Sequence, residues 1–338
     1  MPIVETWNTL LRAIQWSSGA VGVFLNLILI TLILFRSPND LGAYKYLMIY
    51  ISSFELTYSI FYSIIEPHVF SHGPAFIIYR YCQGSYFGRE TGFYMIVLYC
   101  GSFGLSIALF GMHFIYRYGA ADQEFRNSYI KGWKLSILFL IPVAYGVWAS
   151  STVHYLFAPS AESDSFLRTP VLTELDTRIE NISYSFIRFY APDTSNQLRP
   201  VWQSFVGMSC MWFMMFSSLF CVILFGIKCY RKISRRLKSS NMSSHYARHI
   251  QKQLLQALVV QTLIPVILMY IPVSLFFFPM INVEIGRVSS FVTTALAICP
   301  AVNPLPTMFI VESYRKTVLC GCWTRERTAV EGAEHLDN

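Results

Sequence analysis

Few side chains in this sequence combine a reactive group with an unusual position. Glu55 is the one acidic residue well inside a long apolar stretch, where a carboxyl group must be paired or protonated to be tolerated. It could contact a ligand or act as a switch, or it could be a protonated carboxyl that hydrogen-bonds to a neighbouring helix. Asn26 lies in the middle of another apolar stretch, and its amide is more typical of a hydrogen bond between helices than of a ligand contact.

Arg117 closes the third apolar stretch, between Tyr116 and Tyr118. By position alone, this pattern is typical of an arginine that anchors a helix at the membrane interface.

Prolines interrupt the last two apolar stretches, among them Pro272 and Pro304, and each one removes a helix hydrogen bond. The resulting kinks could be static packing features, or they could allow these helices to swing.

Signatures of enzymes and metal sites are absent from the sequence. It has no HExxH, Walker or GxSxG motif, and its eight cysteines show no paired CxxC spacing. Cys320 and Cys322 follow the last apolar stretch and are candidates for palmitoylation. We therefore expect a protein that is not an enzyme and that uses no cofactor or metal ion.

The elements that position these residues are apolar stretches of membrane-spanning length. The chain is 54% hydrophobic and 13% charged, whereas a soluble domain is about 25% charged. Stretches of about 17 to 25 apolar residues cross a bilayer as helices, because lipid offers no other partners to the backbone. They cover residues 13–35, 46–65, 92–115, 133–157, 201–227, 254–278 and 288–311. The sequence predicts an all-α, seven-transmembrane helix bundle in residues 1–318 and a short cytosolic tail in residues 319–338.

The basic residues predict the orientation of this bundle in the membrane. Residues 228–252 are rich in Lys, Arg and Ser and contain no acidic residue. Cytoplasmic loops carry an excess of Lys and Arg, and an external N-terminus places 18 basic residues inside and 8 outside. This orientation also accounts for the net charge of +7 more simply than nucleic-acid binding does. Asn181, which begins a glycosylation sequon, would then be exposed to the secretory lumen.

Four sequence blocks are informative together: LGAYKYLM at 41–48, HFIYRY at 113–118, QKQLLQALVVQTLIPVILMYIP at 251–272 and CPAVNPLP at 299–306. In combination they resemble one family, the nematode chemosensory seven-transmembrane receptors of serpentine class Str, which includes the diacetyl odorant receptor. Their order and spacing match from about residue 16 to residue 317. The resemblance implies a G-protein-coupled receptor in the plasma membrane of a chemosensory neuron, on its sensory cilium.

The resemblance also implies roles for particular residues. Arg117 looks like the arginine that rhodopsin-like receptors keep at this helix end, although Tyr116 replaces the usual acidic neighbour. Asn303 and Pro304 look like the asparagine–proline pair of the seventh-helix switch. The expected switch and G-protein-coupling residues are Tyr116, Arg117, Tyr118, Arg235, Arg236, Arg248, Lys252, Pro272, Asn303 and Pro304. The usual disulfide to the second external loop cannot form, because residues 158–200 contain no cysteine.

These observations favour a receptor that binds a small external odorant or soluble chemical and activates a heterotrimeric G protein. A mostly apolar pocket would suit a volatile or lipophilic ligand. The candidate ligand contacts are Phe93, Tyr94, Tyr99, Ser102 and Glu55. One alternative is a seven-span ligand-gated channel or transporter with inverted topology, which the charge bias opposes. Another is a receptor-family member that has lost ligand sensing and serves in trafficking or assembly.

Overall fold

The computed structural model describes residues 2–37, 44–82, 87–193, 197–238, 253, 256–257 and 259–320. This part of the chain is mostly helical and contains seven helices that are long and apolar enough to cross a membrane. We number them α1 to α7: Pro2–Arg36, Tyr44–Ile65, Arg89–Ala121, Trp133–Leu156, Trp202–Lys238, Val259–Met280 and Ser290–Ile310. The predicted seven-helix bundle is confirmed. The separate tail stays a prediction, since almost all of it lies outside the described residues.

Shorter helical segments connect the spans or follow them. The longest is a helix between α4 and α5, Ala161–Leu175, which we call the loop helix. The others are Gln123–Phe125, the π turn Arg126–Ile130, the 3-10 turns Ile179–Asn181 and Gly286–Ser289, and the terminal helix Glu312–Cys320.

The prediction of an all-α fold is wrong at one end of the bundle, where two chain segments form a β-sheet. Strands β1 (His68–His72) and β2 (Ala75–Tyr81) form a hairpin between α2 and α3. Strand β3 (Ile182–Arg188), from the connection between α4 and α5, pairs antiparallel with β2. A separate two-stranded ribbon joins Tyr190–Pro192 to Leu198–Pro200. We call this end of the bundle the sheet end, and the opposite end the Arg117 end.

The two faces of the three-stranded sheet pack against different partners. Because side chains alternate along a strand, Ile77, Tyr79 and Tyr184 point to one face and join an apolar cluster with Leu167 and Val171 of the loop helix. The other face points into the bundle. The sheet therefore lies between the loop helix and the ends of the spanning helices.

Helix α3 approaches α4 closely through small residues. A Cβ atom added to Gly104 would lie 2.7 Å from the Cβ of Ala149, and one added to Gly101 would lie 3.0 Å from the carbonyl oxygen of Gly146. Small residues allow helix backbones to pack closely in a membrane, where apolar burial alone does not drive association. This contact holds α3 in place at the centre of the bundle.

Helices α6 and α7 are both interrupted at prolines. In α6, the π turn Val266–Tyr270 follows Pro265 and precedes Pro272. In α7, the helix breaks at Asn303, between Ser290–Val302 and Pro304–Ile310. Each break removes regular backbone hydrogen bonds, so these are the two spans whose halves can change their relative angle most easily.

Asn26 joins α1 to the break in α7. Its side-chain amide donates hydrogen bonds to the carbonyl oxygens of Gly22, at 2.9 Å, and Pro300, at 3.0 Å. The carbonyl of Pro300 would normally accept from the residue four positions later, but Pro304 has no N–H group. Asn26 supplies the missing donor, and so it acts as the clasp between helices that its position indicates.

Candidate functional site

The sheet covers an apolar cavity of about 80 Å³, which we call the lid cavity. Side chains from α3, α4, α5, α6 and α7 form its walls, and the inner face of the sheet forms its roof. The lining residues are Val69, Phe76, Ile78, Tyr99, Cys100, Phe103, Val153, Phe157, Ser185, Ile187, Met208, Met211, Trp212, Met215, Val273, Phe276, Val292, Thr293 and Leu296. A concave, mostly apolar space with few polar groups is the usual form of a small-molecule site.

The roof of the lid cavity is in direct contact with α6. The ring of Phe76 stacks on that of Phe276, with centroids 4.4 Å apart and planes 3° apart. Val273 and Phe276 follow Pro272 within one helical turn. A molecule in the cavity would therefore contact α6 immediately beside its interruption.

The structure brings only some of the expected ligand contacts to a cavity. Tyr99 lines the lid cavity. Phe93, Tyr94 and Ser102 line neither of the two cavities described here: Tyr94 is 51% exposed, and the hydroxyl of Ser102 bonds to the carbonyl of Leu98 in its own helix. Phe93 and Tyr94 lie on other faces of α3 than Tyr99, whereas Ser102 is one turn from Tyr99 but directs its hydroxyl to its own helix. We therefore do not retain them as ligand contacts.

Glu55 lines a second cavity, also of about 80 Å³, which we call the polar cavity. It lies between α1, α2, α3, α6 and α7, and its polar lining residues are Ser52, Glu55, Ser106, His113, Gln261, Asn303 and Thr307. The side-chain amide of Asn303 donates to the Glu55 carboxyl at 2.8 Å, and Gln261 donates to Thr307 at 2.7 Å. Glu55 thus joins α2 to the break in α7, as the hydrogen-bonding alternative expects.

Aromatic rings, rather than a carboxylate, hold Arg117. It is 5% exposed, and its guanidinium carbon lies 5.1 Å from the ring centroid of Tyr44 in α2. The hydroxyl of Tyr44 lies 2.6 Å from Nε2 of His113, and its ring stacks on Tyr116. In the part of the chain that the structure describes, no carboxylate pairs with Arg117. A cation over a tyrosine ring is attracted by about 0.5 to 2 kcal/mol, and most strongly where water is excluded.

An ion pair joins α3 to α5 just beyond Arg117. Asp122 follows the last residue of α3 and accepts a hydrogen bond from Lys232 of α5 at 2.8 Å. The Tyr118 hydroxyl also donates to Asp122, at 3.1 Å. The hydrogen bond from Lys232 lowers the pKa of Asp122 to about 2. Asp122 is therefore charged at physiological pH, and it holds the ends of α3 and α5 together.

The remaining expected residues are placed as follows. Arg235 is exposed on α5, and Pro272 and Pro304 are buried. Asn181 ends a 3-10 turn, and its carbonyl accepts the backbone N–H of Cys82 at 2.8 Å. Arg248, Lys252, Cys322 and the side chains of Arg236 and Cys320 lie outside the described part of the chain.

Polar contacts join α3 to the segment between α4 and α5, which has no cysteine to form a disulfide. Arg89, the first residue of α3, is paired with Asp164 of the loop helix. The Tyr184 hydroxyl donates to the same carboxylate at 2.6 Å. Ser183 donates to the carbonyl of Arg89, also at 2.6 Å, and its hydroxyl lies 3.0 Å from the Cys82 thiol. These contacts fix the roof of the lid cavity over the bundle.

Analysis of the sequence missed several residues that shape these sites. Phe76 and Ser185 lie on strands where only connecting loops were expected, and Asp122 and Lys232 were not paired. The alternation of serine with aromatic residues at 183–186, together with the Gly73-Pro74 turn after 68–72, is the signal that indicates strands here. No local signal pairs Asp122 with Lys232, which lie 110 residues apart.

Comparisons with known proteins agree with this geometry. The family model for the serpentine type 7TM GPCR chemoreceptor Str matches residues 11–319. The G-protein coupled receptor str-217 of Caenorhabditis elegans is 33% identical over 314 residues, which cover 91% of this chain and 90% of that protein. Serpentine receptor class r-10 of the same species is 28% identical over 326 residues, covering 94% and 93% of the two chains.

A solved structure supports the fold. The crystal structure of squid rhodopsin superposes with a TM-score of 0.57 and covers 96% of this chain and 84% of that chain, at 12% sequence identity. None of these matches supports a channel or transporter. The chemoreceptor family match, the receptor relatives and the seven spanning helices describe a multi-pass membrane receptor from a family of receptors rather than of enzymes. This chain belongs to the serpentine Str family of seven-transmembrane G-protein-coupled chemoreceptors.

Proposed function

We propose that this receptor binds small external odorants or soluble chemicals in the lid cavity and activates a heterotrimeric G protein at the Arg117 end. The observation that carries this proposal is the apolar cavity whose wall includes α6 beside Pro272. The sheet end faces outside in this proposal, and the Arg117 end faces the cytosol. The excess of basic residues in the segments at the Arg117 end supports that orientation.

The break in α6 gives a ligand a means of changing the bundle. Below the cavity, the Tyr270 hydroxyl donates to Ser218 of α5 at 3.0 Å, and Ser218 donates to the carbonyl of Ile107 in α3. This chain of hydrogen bonds joins α6, α5 and α3. A ligand that fits better when Val273 and Phe276 have moved favours that arrangement, and it shifts the population only as far as its affinities for the two states differ.

At the Arg117 end, the change of state would release a buried cation. Arg117 lies over Tyr44 and within reach of the Cys229 thiol of α5. Because no acidic residue of the described chain holds it, its release requires no separation of opposite charges. Arg117, Tyr116 and Tyr118 would then join the exposed Arg235 in contacting the G protein.

Three further parts of the proposal concern location and modification. The receptor resides in the plasma membrane, on the sensory cilium of a chemosensory neuron. Asn181 lies at the sheet end and carries a glycan if that end faces the secretory lumen. Cys320 and Cys322 are acylated beside the membrane at the opposite end, where the terminal helix begins directly after α7.

Filling the lid cavity tests the proposal. Leu296 is 6% exposed and lines the cavity, whereas Phe291, on the same helix, is 58% exposed and faces away from the bundle. We expect Leu296→Trp to abolish or strongly weaken G-protein activation by agonists identified on the wild-type receptor, because the indole occupies the ligand's space. The measurement is agonist-dependent G-protein activation in cells, normalised to receptor at the cell surface.

Phe291→Trp is the matched control and should respond as the wild type does. Leu296→Phe enlarges the side chain less and should be tolerated better by the fold. It should give an intermediate loss of the agonist response. Full agonist response from surface-expressed Leu296→Trp receptor would place the ligand elsewhere and contradict the proposed site.

A further inference from the structure

One hydroxyl in the roof of the lid cavity has no partner. Ser185 lies on β3 opposite Ile78 of β2, is 0% exposed and lines the cavity. Its Oγ makes no hydrogen bond within the described part of the chain. Its neighbour on the same face of β3, Ser183, donates to the carbonyl of Arg89. Of these two inward-facing serines of β3, only Ser185 lacks a partner.

Two other polar groups in the lining have partners. The Thr293 hydroxyl donates to the carbonyl of Ser290 at 3.1 Å, and the indole N–H of Trp212 lies 3.3 Å from the sulfur of Met280. A buried hydroxyl without a hydrogen bond is unfavourable, and native proteins rarely keep one without a reason. A ligand with a suitably placed oxygen would supply the partner that Ser185 lacks.

The rest of the lining defines what that ligand carries besides the oxygen. No Asp, Glu, Lys, Arg or His is among the lining residues, so a charged ligand would lose its hydration without gaining an opposite charge. Three flexible methionines, Met208, Met211 and Met215, form much of the α5 wall and can adapt to apolar groups of different shapes.

We infer that the lid cavity selects uncharged, mainly apolar small molecules with a hydroxyl or carbonyl oxygen, which hydrogen-bonds to Ser185. This inference rests on the proposed function, and it adds the chemical class of the ligand and the residue that recognises it. Ser185 can serve both kinds of oxygen, because a hydroxyl group donates as well as accepts. The same bond would tie the ligand to the roof while its apolar part contacts α6.

The test uses short straight-chain compounds that differ only in their functional group. Alkanes, alcohols, methyl ketones, primary amines and carboxylic acids of equal chain length are applied to wild-type receptor, Ser185→Ala and Ser102→Ala. Ser102→Ala is the matched control, because its hydroxyl lies on α3 outside the cavity and bonds within its own helix. The readouts are G-protein activation in cells and the thermal stability of purified receptor with each compound.

We expect alcohols or ketones to activate and stabilise the wild-type receptor more strongly than the matched alkanes, amines and acids. Ser185→Ala should raise the half-maximal concentration for the oxygen-bearing probes about three- to tenfold, as expected for one lost hydrogen bond. It should leave any alkane response unchanged. The variant should also reach the cell surface at the wild-type level, because it removes a hydroxyl that makes no bond in the folded protein.

Failure of this inference is distinguishable from failure of the proposed site. If Leu296→Trp abolishes the response to alcohols and ketones but Ser185→Ala leaves it unchanged, the site stands and the role of Ser185 is wrong. Amines or acids that act as strongly as alcohols and ketones would overturn the ligand class, as would the absence of activation and stabilisation by every oxygen-bearing probe. A response that survives Leu296→Trp overturns the site itself.

Discussion

Arg117 lies among aromatic rings, and the nearby charges form a separate pair. Asp122 lies beyond the last turn of α3. Its carboxylate pairs with Lys232 of α5 and not with Arg117. Tyr44 therefore holds the arginine, while Asp122 joins the ends of α3 and α5.

Removing the charge of Asp122 should raise signalling in the absence of agonist. Lys232 is 41% exposed at its side chain, and such ion pairs contribute about 0.2 to 1 kcal/mol. If the pair forms only in the inactive state, Asp122→Asn should raise basal G-protein activation by up to about fivefold. The measurement is basal activity per receptor at the surface.

Glu124→Gln is the control for Asp122→Asn, because Glu124 is exposed two residues away and forms no salt bridge in the described structure. It should leave basal activity unchanged. A basal activity in Asp122→Asn that equals the wild-type level would show that the pair does not restrain the receptor.

Residue-level roles were predicted from the sequence only where position in a span determines them. A carboxyl deep in a span must find a partner, and Glu55 does, but the identity of that partner depends on the fold, because Asn303 lies 248 residues away. The ligand contacts were harder to predict. Nearly every position of α3 is apolar or small, so the sequence does not show which face of this helix lines the cavity.

At the scale of elements, the sheet and the loop helix form a lid that no disulfide secures. The Asp164 carboxylate accepts hydrogen bonds from Arg89 and from Tyr184. Burial alone would raise the pKa of Asp164, but these hydrogen bonds lower it below its ordinary value of 3.8. Its contribution to stability is therefore complete above about pH 4 and is lost as the pH falls through the lowered pKa.

Asp164→Asn should loosen the lid at neutral pH. The pair is partly exposed, with 37% and 28% of the two side chains accessible, so we expect a loss of about 1 kcal/mol and roughly fivefold faster amide exchange in β3. Hydrogen exchange of the purified receptor measures this effect. Asp176→Asn is the control, since that residue ends the loop helix in a left-handed conformation that asparagine also adopts.

The lid was the element that the sequence analysis did not predict. Spanning helices follow from the length of an apolar stretch, which is a local property. The pairing of β2 with β3 joins residues about 100 positions apart, as in Tyr81 with Ile182. The loop helix covers one face of the sheet and the bundle the other, so β2 is apolar on both faces except at Arg80 and lacks the alternation that marks a surface strand. In β3, the alternation of serine with aromatic residues is a local signal that does not identify its distant partner strand.

At the scale of the whole molecule, the two ends have different chemistry. The sheet end contains an apolar cavity, and the Arg117 end carries buried and exposed cations that can contact a partner protein. The interrupted helices α6 and α7 run between them. The proposed signalling mechanism requires the sheet end to face the outside of the cell.

Thiol labelling in intact cells tests this orientation most directly and needs no known agonist. Glu162, at the sheet end, has 82% of its side chain accessible, and Lys316, on the terminal helix, has 62%. Each is changed to cysteine, and labelling by a membrane-impermeant maleimide is compared with that of the wild-type receptor before and after permeabilisation. We expect Glu162→Cys to gain label in intact cells and Lys316→Cys to gain it only after permeabilisation. The opposite pattern would place Arg117 outside the cell and contradict the receptor mechanism proposed for this chain.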